Sequence, residues 1–452
     1  MSDAADGLPM PRRAFAVAAI SAAIMMTVLD GAMLGVALPG IARDLGVAPA
    51  TATWLLNAYQ LTVVATLLPL ASLGEILGFR WVFLTGFGVF ALASLGASQA
   101  DDFGTLLACR IAQGLGSSAV MSLTGGLIRH TYPARQLGRA IGINAMVVAA
   151  SGAAAPTVAA AILAVGPWHW LFMANLPVAL AGLLIGARTL PDPPGARRRF
   201  DLAGAGLNIL AFGLFFLGLD LLLAAPPAAL LLLACGIGAG VLLVRRQRTQ
   251  TAPLLPLDLL RDPVVALSVA ASICGFAAWY ASYVALPFLL QAAGRSQVES
   301  GLLMTPWPLA IAVAAPLAGR LSDAVPTAVL CAGGMVAMAA GLALLAVLPP
   351  AGPALLIGGV VGLCGAGFGA FQTPNNRTML AAAPKSRSGG AGGMQATARL
   401  LGTTLGTTIL ALAFQLAGSD GPRLALLAGV GFALAAAALS LSRRRLSGRG
   451  PA

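Results

Sequence analysis

The chain has 452 residues, of which 58% are hydrophobic and only 9% charged, against about 25% charged in a soluble domain. So few charges cannot solvate a globule of this size, which excludes a soluble enzyme and leaves a polytopic membrane protein. The net charge of +12 raises nucleic-acid binding, but the placement of the arginines sets that aside.

Arg12 and Arg13 precede the first apolar run, as in a secretion signal. The run is too long for a signal core, so an uncleaved first helix is expected. Apolar runs of span length follow at 14–38, 52–73, 81–99, 104–128, 139–164 and 168–187. Two more lie at 202–223 and 227–244, split by the turn signal around Pro226-Pro227. A second set lies at 264–290, 300–319, 328–348, 353–374, 393–417 and 422–442. The expectation is an all-α fold with 14 transmembrane helices in a 6 + 2 + 6 order. Its parts are a cytoplasmic tail (1–13), an N-terminal bundle (14–188), a linker with two extra helices (189–262), a C-terminal bundle (263–442) and a basic tail (443–452).

Arginine placement supports this order. With the N-terminus in the cytoplasm, 22 of the 27 basic residues fall in inward breaks and tails, and three, Arg43, Arg295 and Arg423, fall outside. That is the positive-inside pattern, so both termini are expected in the cytoplasm and the basic excess is a topology signal. The chain also repeats itself. Pro69-Leu70-Ala71 leads to Glu75 and Arg80, and Pro316-Leu317-Ala318, 247 residues later, leads to Asp323. Paired bundles with a site between them are the usual architecture of secondary transporters. Cys109, Cys235, Cys274, Cys331 and Cys364 all fall in apolar runs without metal-ligand spacing and read as small core residues. No metal site or cofactor is expected. His130 and His169 sit at breaks and read as ordinary loop residues.

Asp30 stands out in the first run. It lies about 24 Å along a helix starting at Ala14, too deep to reach water easily, and a charge there costs about 2.5–3.5 kcal/mol. A carboxylate so placed can exchange a proton or meet a cation; alternatively it is capped by neighbours such as Thr27. Arg110, in the fourth span, is a permanent charge that must be neutralised, by coupling chemistry or by carbonyls of a neighbouring helix. Phe276, Trp279, Tyr280 and Tyr283 recur at i, i+3, i+4 and i+7 on the ninth span and share one face. They line a cavity or else pack against lipid; Tyr59 and Gln60 are similar candidates. Trp54 reads as an interfacial anchor. Asp220 is expected to reach the interface, and Arg399, at the start of the thirteenth span, to snorkel inward and serve packing or a gate.

LDGAMLGVALPGI (29–41), LGEILGFR (73–80), RIAQGLGSS (110–118), SGAAAPTVAAA (151–161), WHWLFMANLP (168–177) and FQTPNNRTML (371–380) occur in order. Together they resemble the fourteen-helix drug–proton antiporter branch of the major facilitator superfamily, over nearly the whole chain. The resemblance implies proton or cation coupling at Asp30, Arg110 and Gln113, and a cytoplasmic gate at Glu75, Gly78, Arg80 and Asp323. It implies an antiporter motif at Gly152 and Pro156, where Ala155 replaces the family's glycine. The function so implied is proton-coupled multidrug efflux across the inner membrane, exporting hydrophobic cationic compounds by alternating access, with the proton gradient in place of a cofactor. The expected partners are a lipophilic small molecule, protons and the bilayer, with no nucleic acid, the protein acting as a monomer. The alternatives are a metabolite transporter of the same fold and a non-transporting sensor.

Overall fold

The computed structural model describes residues 7–133, 136–192, 200–222, 225–247, 259–322, 324–381 and 388–447. Asp323 lies outside them. Among the described residues there is no strand. Seventeen helices follow one another: α1 (Arg12–Asp44), α2 (Pro49–Ala52), α3 (Trp54–Leu77), α4 (Phe79–Ala97), α5 (Phe103–Thr131), α6 (Leu137–Val165), α7 (His169–Met173), α8 (Asn175–Thr189), α9 (Leu202–Asp220), α10 (Pro226–Gln247), α11 (Pro263–Ala292), α12 (Gln297–Met304), α13 (Pro306–Leu321), α14 (Thr327–Val347), α15 (Ala354–Ala381), α16 (Ser388–Ala417) and α17 (Gly421–Ser447). An unbroken helix is the form in which an apolar chain satisfies its backbone without water.

Among the described residues, thirteen helical stretches are long and apolar enough to cross a membrane. Fourteen were expected, and the difference falls at the last, Met394–Arg444, a stretch of 51 residues. Fully straight it would be about 76 Å long, more than twice a hydrocarbon layer of about 30 Å. A 3₁₀ turn at Gly418–Asp420 divides it into α16 and α17, which pack on each other. Two expected spans are broken: α7 passes to α8 at Ala174, and α12 to α13 at Thr305, ahead of Pro306, which has no N–H to continue the ladder.

In the first half α1 packs on α6 and α8, and α5 on α3 and α4; in the second, α11 packs on α16 and α17, and α15 on α13 and α14. Helices α9 and α10 pair with each other, and α9 also touches α3 and α16, one helix from each bundle. Close approach has a visible cause on α5. A Cβ on Gly114 would lie 2.8 Å from the Tyr59 carbonyl of α3, and one on Gly116 would lie 2.5 Å from the Gly86 carbonyl of α4. Only glycine lets the three helices touch there. Asp102 caps α5, its carboxylate accepting from the Thr105 N–H at 2.9 Å and hydroxyl at 2.5 Å, and these bonds hold its pKa below the usual value.

Helix α1 runs from Arg12 to Asp44, and Arg43 near its far end donates to Gln291 at the end of α11 (3.3 Å). At the opposite end of α11, Ser268 accepts from Arg443 of α17 (2.8 Å). Both ends of the described chain therefore lie at one face.

The core expectation for the cysteines holds at Cys331 and Cys364, which are buried, but not at Cys235, which is exposed on α10. That helix meets chiefly α9, so much of its surface faces outward.

Candidate functional site

The polar centre of the first bundle forms where α1, α5 and α8 meet. Asp30 and Arg110 are 3% and 0% exposed, so each must find a partner inside the protein. Arg110 Nη1 donates to Asp30 Oδ2 at 2.5 Å and to Gln113 Oε1 at 2.6 Å, and its Nε donates to the Leu55 carbonyl of α3 at 3.1 Å. Asp30 Oδ1 accepts from Asn175 Nδ2 at 2.9 Å and Gln113 Nε2 at 3.4 Å, and Gln113 also donates to Ser94 at 2.8 Å. Arg110 Nη2 is buried without an acceptor among the described residues. Both alternatives for Arg110 are thus realised: it pairs with the acid and also bonds a neighbouring backbone. Thr27 does not cap Asp30; its hydroxyl donates to the Ile24 carbonyl one turn back.

Asn175 and Ser94 were not foreseen. The interruption at Ala174 starts α8 at Asn175 and lets its amide meet a carboxylate 145 residues away in sequence. The signals in the sequence were its place in the WHWLFMANLP motif and an asparagine in a largely apolar span, where a polar side chain needs a partner.

A cavity of about 220 Å³ lies between the bundles. Its wall includes Tyr59, Gln60 and Gly152 from the first half and all four residues of the α11 stripe, Phe276, Trp279, Tyr280 and Tyr283. That stripe therefore faces the cavity, not lipid. Gln60 Nε2 donates to the Tyr280 hydroxyl across the gap at 3.4 Å. Asp30 is not on the wall. Tyr59 stands between, its ring 4.3 Å from the Arg110 guanidinium carbon and its hydroxyl donating to Ser117 at 2.7 Å. A ligand in the cavity meets Tyr59, and the ion pair lies behind it.

The wall also holds Trp307, Phe368, Gln372, Arg399 and Thr403, none of them foreseen as cavity residues. Arg399 corrects an expectation. The sequence placed it at the start of a span, able to snorkel, but α16 begins at Ser388, which puts Arg399 about 17 Å along the helix. Among the described residues the wall carries no carboxylate. A cationic ligand about 6 Å from Arg399 would be repelled by about 2.8 kcal/mol at an effective dielectric of 20, more than the roughly 0.5–2 kcal/mol of a cation–π contact. Among the described residues, Arg399 is thus the one charged side chain on the wall.

The expected gate and antiporter residues divide. Gly78 adopts φ +104°, in the glycine-favouring region, and makes the tight passage from α3 to α4. Arg80 donates to the Ala187 carbonyl of α8, within its own bundle; Glu75 is exposed at the end of α3. Gly152 meets only open cavity space, whereas the Pro156 carbonyl would lie 3.0 Å from a Cβ on Gly301 of α12. The tight contact of that motif is thus at Pro156, between bundles. Asp220 is a further correction. It is 8% exposed rather than at the interface; its Oδ2 accepts from the Trp54 indole at 3.1 Å and its carbonyl from Gln415 at 3.3 Å.

Side-chain hydrogen bonds between described residues of the two bundles lie at the Asp44 end or at mid-depth. They are Arg43 to Gln291, Gln291 to the Val36 carbonyl, Thr157 with Thr305, and Gln60 to Tyr280. Together with the Gly301 contact they join the two bundles from mid-depth to the end remote from Arg12.

The family model described as Major Facilitator Superfamily matches residues 20–407. The uncharacterized transporter YebQ of Escherichia coli (strain K12) is 46% identical over 96% of each chain. The riboflavin transporter RibZ of Clostridioides difficile (strain 630) is 30% identical over 86% of each chain. The multidrug efflux pump LfrA of Mycolicibacterium smegmatis is 30% identical over 92% of this chain and 84% of its own. Among solved structures, a bacterial homolog of the human lysosomal transporter Spinster, inward-facing and unoccupied, superposes with a TM-score of 0.68 at 16% identity, covering 98% of this chain and 100% of its own.

Proposed function

Since the chain belongs to the major facilitator superfamily, and is a multi-pass membrane transporter of small molecules and not an enzyme, we propose that it is a proton-coupled exporter of lipophilic compounds. It would cross the bacterial inner membrane fourteen times with both termini in the cytoplasm, which would put the Asp44 end of α1 on the outer side. The observation that carries the proposal is the buried Arg110–Asp30 pair at 2.5 Å, set one residue behind the cavity wall.

The ion pair is the deprotonated form of the site. A proton on Asp30 cancels its charge and leaves Arg110 without its counter-ion, a costly arrangement in a buried site. Arg110 is also bonded to the Leu55 carbonyl and stacked on Tyr59, so its displacement bears on α3 and on the wall that a substrate touches. Proton and substrate thereby bias the same element, which is what coupling between two sites requires. They need not occupy the same atoms. One proton moving down 100 mV supplies about 2.3 kcal/mol before any pH gradient is added.

The homologue named as a multidrug efflux pump agrees with export, and the one named as a riboflavin transporter marks a metabolite cargo as the rival. Everted membrane vesicles with an acidified lumen test the coupling. Wild type is expected to accumulate a transported dye, to lose it on addition of a protonophore, and to fail when Asp30→Asn is introduced. Accumulation indifferent to the protonophore, or intact in the variant, would overturn the proposal.

A further inference from the structure

We infer that the central cavity selects planar aromatic compounds bearing an anionic group, with Arg399 as the residue that fixes the sign of the charge. The inference rests on the transporter reading above but concerns recognition, not coupling. Its first support is the pairing of the charges. Asp30 is consumed by Arg110 and sits behind Tyr59. Arg399 lines the cavity and has no hydrogen-bond or ion-pair partner among the described residues, although the Tyr59 phenol lies within its electrostatic reach. A guanidinium keeps its charge and matches a carboxylate or an enolate with a planar fork of donors. Among the described residues the cavity therefore presents one positive charge without a partner and no negative one.

The second support is the surrounding surface. Trp279 stacks on Phe368 with ring centroids 5.4 Å apart and planes 16° from parallel, and Phe276 meets Phe368 edge-on at 5.1 Å. These rings make the wall apolar and aromatic, a surface against which an aromatic ring can pack. The indole N–H groups of Trp279 and of Trp307, both cavity residues, are buried without acceptors among the described residues. Unsatisfied donors that line the same cavity as a guanidinium suit a ligand that brings acceptors.

Two dyes built on one xanthene ring but opposite in charge, fluorescein and rhodamine 123, separate the possibilities. Their binding to purified protein in lipid nanodiscs, read by fluorescence anisotropy without any gradient, is expected to favour fluorescein by tenfold or more. Arg399→Gln should weaken fluorescein at least tenfold while leaving rhodamine unchanged or tighter. Arg399→Lys should keep the order, and Arg399→Glu should reverse it; thermal unfolding checks that each variant is folded. Equal or tighter rhodamine binding by wild type, an Arg399→Gln variant that changes both dyes alike or neither, or no binding of either dye would overturn the inference. Because no gradient is used, such a failure leaves proton coupling standing. Likewise, loss of coupling in the vesicle assay would leave the charge preference standing.

Discussion

Replacing Asp30 by asparagine perturbs the molecule at its most highly constrained polar point. Three donors converge on the two carboxylate oxygens: Arg110 at 2.5 Å, Asn175 at 2.9 Å and Gln113 at 3.4 Å. An amide offers one oxygen and sets two N–H groups against donors that are already there. The buried guanidinium also loses its only counter-ion among the described residues. Breaking one side of a buried pair costs about 3–5 kcal/mol, whereas removing both charges together is often nearly neutral. Asp30→Asn is thus expected to lose stability in that range, Arg110→Gln a similar amount, and the double variant much less than the sum. Equilibrium unfolding in mixed micelles of the four proteins gives the coupling energy as a double-mutant cycle. A coupling energy below about 1 kcal/mol, the value of an exposed pair, would refute the reasoning.

Further outcomes follow from the same geometry. Tyr59→Phe keeps the ring against Arg110 and gives up one bond to Ser117, worth about 1 kcal/mol, so protonophore-sensitive transport should survive; Tyr59→Ala opens the wall and should uncouple transport, read as dye-independent proton leak. Gly301→Val places methyl groups against the Pro156 carbonyl, already 3.0 Å from where a Cβ would stand, and should part the bundles at the Asp44 end. Labelling of a cysteine introduced there, in a background free of the five native ones, should then increase severalfold. Trp54→Phe leaves Asp220 Oδ2 without its donor, and Oδ1 already has none. A loss of about 1–3 kcal/mol for an unsatisfied buried group is expected, and Asp220→Leu should lose less.

The span pattern was legible because hydrophobic length and arginine placement are properties of the sequence alone. Asp30, Arg110 and Gln113 were legible individually, since each is costly in an apolar span and stands in a recognisable motif. Their contact was not, because nothing in a sequence states which faces of α1 and α5 meet. Asn175 escaped because the break at Ala174 that aims it is a tertiary feature. Arg399 was misjudged through a helix start placed five residues late, which changed a cavity residue into a snorkelling one. Asp220 was misread because its partner, Trp54, comes from a helix 166 residues earlier. The α11 stripe shows the opposite case, a periodicity that identified one face correctly while leaving open what it faced.

The coupled proton is proposed to bind Asp30 itself. Infrared difference spectra of the protein in nanodiscs, recorded on acidification, test it directly through the carbonyl stretch of a newly protonated carboxylic acid. Wild type should show that band, shifted by deuterium exchange, and Asp30→Asn should lack it. The same band at full intensity in Asp30→Asn would contradict the assignment and place the proton elsewhere.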